Sequence, residues 1–138
     1  MAGISDGVYR IEFAHGQRLT AWEARPGSPV VLLPPGGGAA QEWRVMGDGN
    51  GGHSIGIPDA PAFVSYEGEP GLRGISLLRP EPRAWKLSPG PEPDTFFIGV
   101  DGEPMRLGPS PLRIYPQRLA LGPECGEPYQ AWGFRKFS

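Results

Sequence analysis

The chain has 138 residues, a formal net charge of −2, and 22 glycines and 18 prolines spread among short apolar runs. That length suits a single domain with one core. Its scattered basic residues form no clustered stripe of the kind phosphate neutralisation needs, so no nucleic-acid partner is expected.

Taken in chain order, alternating and apolar runs between Gly- and Pro-rich turns predict strands at 8–13, 19–23, 30–33 and 43–46. Between the last two lie Gly36, Gly37 and Gly38, followed by Gln41-Glu42-Trp43-Arg44-Val45. A phosphate-cradling loop would need a following helix and a nearby Lys and hydroxyl, and none of these follows. Further strands are predicted at 54–57, 63–66, 75–78 and 85–87, then at 96–100, 105–107, 112–115 and 132–137. No stretch sustains a helical period with caps, so almost no helix is expected. Disorder would need fewer aromatic and β-branched residues than this chain carries.

Three tryptophans mark an internal repeat. Trp43 sits in QEWRV, Trp85 in RAWKL and Trp132 in QAWGF, at spacings of 42 and 47 residues. Twelve short strands in three units of four, roughly 1–50, 51–92 and 93–138, predict one all-β domain: a β-trefoil, a six-stranded barrel closed by three hairpins. The tryptophans are then expected in the core, each with a partner for its indole N–H. Gln41 and Gln130, two places before their tryptophans, are expected to fix the neighbouring turns; Arg83 takes that place in the middle repeat.

Residues able to carry chemistry are sparse. His15 and His53 lie in different repeats and Cys125 is the single cysteine, so no metal cluster, internal disulfide or cofactor is expected. Glu67/Glu69 and Glu124/Glu127 lie in turn-like segments and read as solvated charges. No nucleophile-elbow motif occurs, and enzymatic activity is the least supported class. No apolar run approaches the roughly 18 residues of a membrane span. The start, MAGISDGVYR, lacks the features of a secretory signal. A cytoplasmic location with no membrane partner is the expectation.

Closed barrels expose their connections, and several here are stiffened by proline: 24–29, 57–61 and 108–111. The order and spacing of Asp6-Gly7-Val8-Tyr9-Arg10-Ile11, Val31-Leu32-Leu33-Pro34-Pro35-Gly36, Glu42-Trp43-Arg44-Val45, Leu121-Gly122-Pro123 and Glu127-Pro128-Tyr129 are similar to one known family across nearly the whole chain. The sequence resembles the fungal β-trefoil serine protease inhibitors of the cospin type and, more distantly, the mycocypins, which inhibit cysteine proteases.

The resemblance implies a monomeric protease inhibitor that needs no cofactor and inserts a rigid loop into the active site of a trypsin-like serine protease, where an Arg fills the pocket. The candidate loop is Ala24, Arg25, Pro26, Gly27 and Ser28, and a second is Leu72, Arg73 and Gly74. Asn50 would suit a legumain-type protease, although Asn50-Gly51 also reads as a hairpin turn. The loop 121–130 carries no Arg or Lys and so is not directed at trypsin. The glycine loop at 36–38 corresponds to one that mycocypins use, and is expected here to be a passive turn.

The alternative is a ricin-B-like carbohydrate-binding lectin, which shares the fold and the Q-x-W marks. A sugar pocket of that kind needs an Asp, an aromatic platform and an Asn or Gln. Asp101 near Phe97 and Asp59 near Phe63 are its candidate remnants.

Overall fold

A computed structural model of the chain describes residues 4–13, 16–38, 40–72, 74–110, 115–124 and 131–137. These residues contain no α-helix and form twelve strands. The first four are β1 (Gly7–Glu12), β2 (Arg18–Ala21), β3 (Val30–Leu33) and β4 (Trp43–Gly47); β5 (His53–Gly56), β6 (Phe63–Tyr66), β7 (Ser76–Arg79) and β8 (Trp85–Pro89) follow. The last are β9 (Thr95–Val100), β10 (Met105–Pro109), β11 (Gln117–Pro123) and β12 (Trp132–Lys136).

Six strands close on themselves. β1 pairs with β4, β4 with β5, β5 with β8, β8 with β9, β9 with β12, and β12 with β1, all antiparallel. The ring has no free edge, which removes the unpaired N–H and C=O rows that invite aggregation. The other six strands form the hairpins β2–β3, β6–β7 and β10–β11. Each hairpin reaches the next through main-chain pairing: Pro29 with Leu77, Ile75 with Ala120, and Gln117–Arg118 with Leu32–Val31. This is the β-trefoil.

The local sequence explains the strands. In β4, Trp43 and Val45 are buried while Arg44 and Met46 are exposed, the alternation that a barrel wall demands. In β3, which pairs with β2 and β11, all of Val30–Leu33 are buried. One strand differs from the sequence expectation: the third strand of the third unit is β11, not 112–115. Tyr115 is 83% exposed and residues 112–114 lie outside the described residues, whereas Leu119, Ala120 and Leu121 are buried between β10 and β3.

The core confirms the role of the repeat tryptophans. Trp43, Trp85 and Trp132 are fully buried, and their indole N–H groups donate to the carbonyls of Leu19, Val64 and Leu107 at 2.9, 2.9 and 3.1 Å. The same bond, made three times to the second strand of each unit, ties the barrel to its cap. Burying such a ring contributes about 1.5–3 kcal/mol or more from apolar area, and the bond spares a buried donor the ~1–3 kcal/mol cost of going unpaired.

Candidate functional site

The residues two places before the tryptophans hold the barrel-to-cap turns. The Gln41 amide donates to the Pro34 carbonyl at 2.8 Å and to the Thr20 hydroxyl at 3.2 Å, and its oxygen accepts from the Gly36 N–H at 3.0 Å. In the middle unit the Arg83 guanidinium donates to the Ser65 hydroxyl and the Tyr66 carbonyl, both at 3.2 Å, and lies 4.1 Å from the Tyr66 ring centroid. Gln130 lies outside the described residues.

The glycine loop at 36–38 forms a turn between β3 and β4. Gly36 and Gly38 adopt φ of +89° and +68°, which disfavour side chains. A Cβ on Gly38 would collide with the Thr20 methyl and come within 3.0 Å of the Ala21 carbonyl oxygen.

The loop 22–29 is held by its own atoms. The Trp22 N–H donates to the Pro29 carbonyl at 3.2 Å, and the buried Ser28 hydroxyl accepts from the Glu23 N–H at 2.7 Å. Gly27 has a φ of +91° and its N–H donates to the Leu78 carbonyl of the neighbouring hairpin. At the tip, the Arg25 Nε and Nη2 both reach one Glu23 carboxylate oxygen, at 3.0 and 2.7 Å. Ala24 and Pro26 are exposed beside it. Arg25 thus forms a solvent-exposed ion pair with Glu23, of the kind that contributes little to stability. In the second loop Leu72 is 60% exposed and the Gly74 N–H turns back to Gly71. Arg73 lies outside the described residues.

Asn50 serves a turn. The Asp48 carboxylate accepts from the N–H groups of Asn50 and Gly52 at 2.7 and 3.1 Å, while Gly49 and Gly51 take positive φ. Those main-chain donors hold the Asp48 carboxyl below its ordinary value, because they stabilise the charged form. His53 is half-buried in β5, while His15 and Cys125 lie outside the described residues. Among the described residues no His, Cys, Asp and Glu group together as a metal site would require.

The two expected carboxylate–aromatic pairs do not form as such. Phe97 is buried beneath the Arg106 guanidinium, 3.9 Å from its centroid, and is no platform for Asp101. Phe63 packs over Gly56, where an added Cβ would meet its ring at 2.6 Å. Asp59, however, lines an open groove of about 580 Å³ whose aromatic wall is Phe137. The turn that carries Asp59 is set by Ala60 N–H to Ile57 C=O and Ile57 N–H to Ala62 C=O bonds, at 3.4 and 2.9 Å.

Phe137 is 49% exposed, yet its position is determined. Its N–H donates to the Val8 carbonyl at 2.6 Å, and the Arg10 guanidinium lies 4.4 Å from its ring centroid. Arg10 in turn faces the Glu42 carboxylate at 3.6 Å. Gln41, Glu42 and the exposed Arg44 complete the polar wall. The groove thus offers an aromatic face, carboxylates and a guanidinium, the Gln41 amide being engaged with its own turn. Such a set can grip a ligand with an apolar face and several hydroxyls.

Sequence reading missed Phe137 as a surface group. Trp132 and Phe134 point inward, so alternation places residue 137 on the opposite face, and a large aromatic there was the available signal.

No protein-family model matches the chain, and no curated protein does. Solved structures do. A ricin B-like lectin from Macrolepiota procera, in complex with lactose, superposes with a TM-score of 0.82 at 15% identity, covering 99% of this chain and 100% of that one. The Rhizoctonia solani agglutinin gives a TM-score of 0.83 at 16% identity, covering 99% of each chain. ThreeFoil, a designed threefold-symmetric protein, gives 0.81 at 15% identity, covering 96% of this chain and 100% of its own.

At these identities the likeness carries the β-trefoil fold alone. It does not extend to the cospin-type or mycocypin families. The expectation of protease inhibition is overturned: the structures that superpose over the whole chain include a ricin B-like lectin and an agglutinin.

Proposed function

We propose that the chain is a carbohydrate-binding module of the ricin B-like lectin kind, with the groove between Asp59 and Phe137 as its saccharide site. The observation that carries this reading is the exposed, main-chain-anchored Phe137 ring standing in one groove with Asp59 and Arg44. A pyranose has an apolar face of C–H groups and an equatorial rim of hydroxyls. The first stacks on an aromatic ring, and the second bridges a carboxylate acceptor to a guanidinium donor, whose charge-assisted bonds are the stronger kind. Whole-chain agreement with a lectin solved with lactose supports the same reading.

The groove is open and shallow, so binding is weak, in the millimolar range that corresponds to about −4 kcal/mol. The test is a glycan array followed by heteronuclear NMR titration with the sugars retained. Phe137→Ala and Asp59→Ala are each expected to weaken binding at least tenfold, with far-ultraviolet circular dichroism unchanged. Absence of any glycan signal that free sugar competes away would overturn the proposal.

A further inference from the structure

The groove at Phe137 has a counterpart one unit further round the barrel, and that counterpart is chemically different. The turn after β9 repeats two main-chain bonds of the turn after β5. Glu103 N–H to Val100 C=O (3.3 Å) matches Ala60 to Ile57 (3.4 Å), and Met105 to Glu103 matches Ala62 to Ala60, both at 2.8 Å. Lys86 follows Trp85 as Arg44 follows Trp43. The registers Gly56–Phe63 and Gly99–Arg106 place Arg106 where the middle unit has Phe63. Together Lys86, Ser88, Glu103, Arg106 and Glu124 line a cleft of about 280 Å³.

Arg106 is the unusual member of this cleft. Its side chain is only 13% exposed, its guanidinium stacks on Phe97, and its Nη1 is buried with no hydrogen-bond partner. Among the described residues its ion-pair partner is Glu124, which stays 3.9 Å from Nε, beyond hydrogen-bond length, and is itself half exposed. A cation so far out of water ordinarily has close partners.

We infer that this cleft takes the carboxylate of an acidic sugar, a hexuronate unit, with Arg106 as its principal contact. A planar carboxylate that displaces Glu124 brings two oxygens to the guanidinium edge, and the Lys86 ammonium lies on the same cleft wall. The presence of both Glu103 and Glu124 favours a singly charged group over a doubly charged sulfate or phosphate. The saccharide part of this inference rests on the carbohydrate reading above, whereas the carboxylate part rests on Arg106.

The experiment is an amide NMR titration of the full chain with sodium glucuronate, its neutral methyl ester, sodium acetate and sodium sulfate. Glucuronate is expected to shift the amides of Gly99, Gly102, Glu103 and Arg106, at least fivefold more tightly than the ester, acetate or sulfate. Arg106→Gln should abolish those shifts. Glu124→Gln, which keeps the fold and removes the competing carboxylate, should tighten binding at least twofold. Equal binding of ester and acid, of acetate and glucuronate, or a weaker Glu124→Gln variant would overturn the inference. Glucuronate shifts confined to Asp59 and Phe137 would sink it while sparing the saccharide site, and neutral sugars that move neither cleft would sink only the latter.

Discussion

The first and middle units solve one problem with different side chains. Each must fasten a barrel strand to a hairpin two residues ahead of a buried tryptophan. The first unit uses an uncharged amide, Gln41, which reaches Thr20, Pro34 and Gly36. The middle unit uses a longer cation, Arg83, which reaches Ser65 and Tyr66 and stacks on the Tyr66 ring. The polar partner, Thr20 or Ser65, directly follows the residue whose carbonyl receives the indole N–H. What the fold requires is a donor at that place; the identity of the donor is free, provided its length matches the turn it must span.

The deepest test of this equivalence removes the shared anchor. Trp43→Ala and Trp85→Ala should each destabilise the protein by about 3–5 kcal/mol, since each leaves a large cavity. Denaturant unfolding of both variants should give losses within about 1 kcal/mol of each other if the two units are energetically alike.

A sharper probe changes the differing residue. Arg83→Ala should cost about 1.5–3 kcal/mol, because it strips charge-assisted bonds and stacking together. Gln41→Ala should cost about 1 kcal/mol less than that, its bonds being neutral ones. Reversal of that order in urea melts would mean that the amide, with three contacts, holds its turn better than the guanidinium.

Next in size is Gly38→Ala, which puts a side chain at positive φ against Thr20 and the Ala21 carbonyl. It should cost about 1–2 kcal/mol. Gly36 has comparable backbone geometry but open space around it, so Gly36→Ala should cost less in the same thermal melts.

The smallest effect is electrostatic. Asp48 is held below its ordinary value of 3.8 in the folded chain by the Asn50 and Gly52 N–H groups. A depressed folded pKa contributes stability that is complete above the unfolded value and disappears as pH falls through the folded one. The small difference in melting temperature between the protein and Asp48→Ala should therefore be constant at neutral pH and shrink as pH drops below 3.8.

Much of the fold was legible in one dimension, because alternation and turn residues are local consequences of strand geometry. Val30–Leu33 and Phe63–Tyr66 have the same limits in the structure as in the sequence reading, and the three spaced tryptophans already implied threefold repetition. β11 was misplaced because 112–115 carries apolar residues too, and local pattern cannot say which run finds partners on two sides. The candidate sites were barely legible. Asp59 was visible as a carboxylate near an aromatic, but the nearby Phe63 is consumed by Gly56, and the useful ring comes from residue 137.

The sequence by itself determined the number of strands, the inward tryptophans and the trefoil repetition, since each follows from a periodicity written along the chain. Tertiary structure alone decided that Phe137 and Asp59 line one groove, and that Arg106 stacks on Phe97 with its Nη1 buried and unpaired. The first depends on ring closure, which brings the last strand beside the first and sets residues almost a full chain length apart within contact of each other; the second depends on the pairing of β10 with β9.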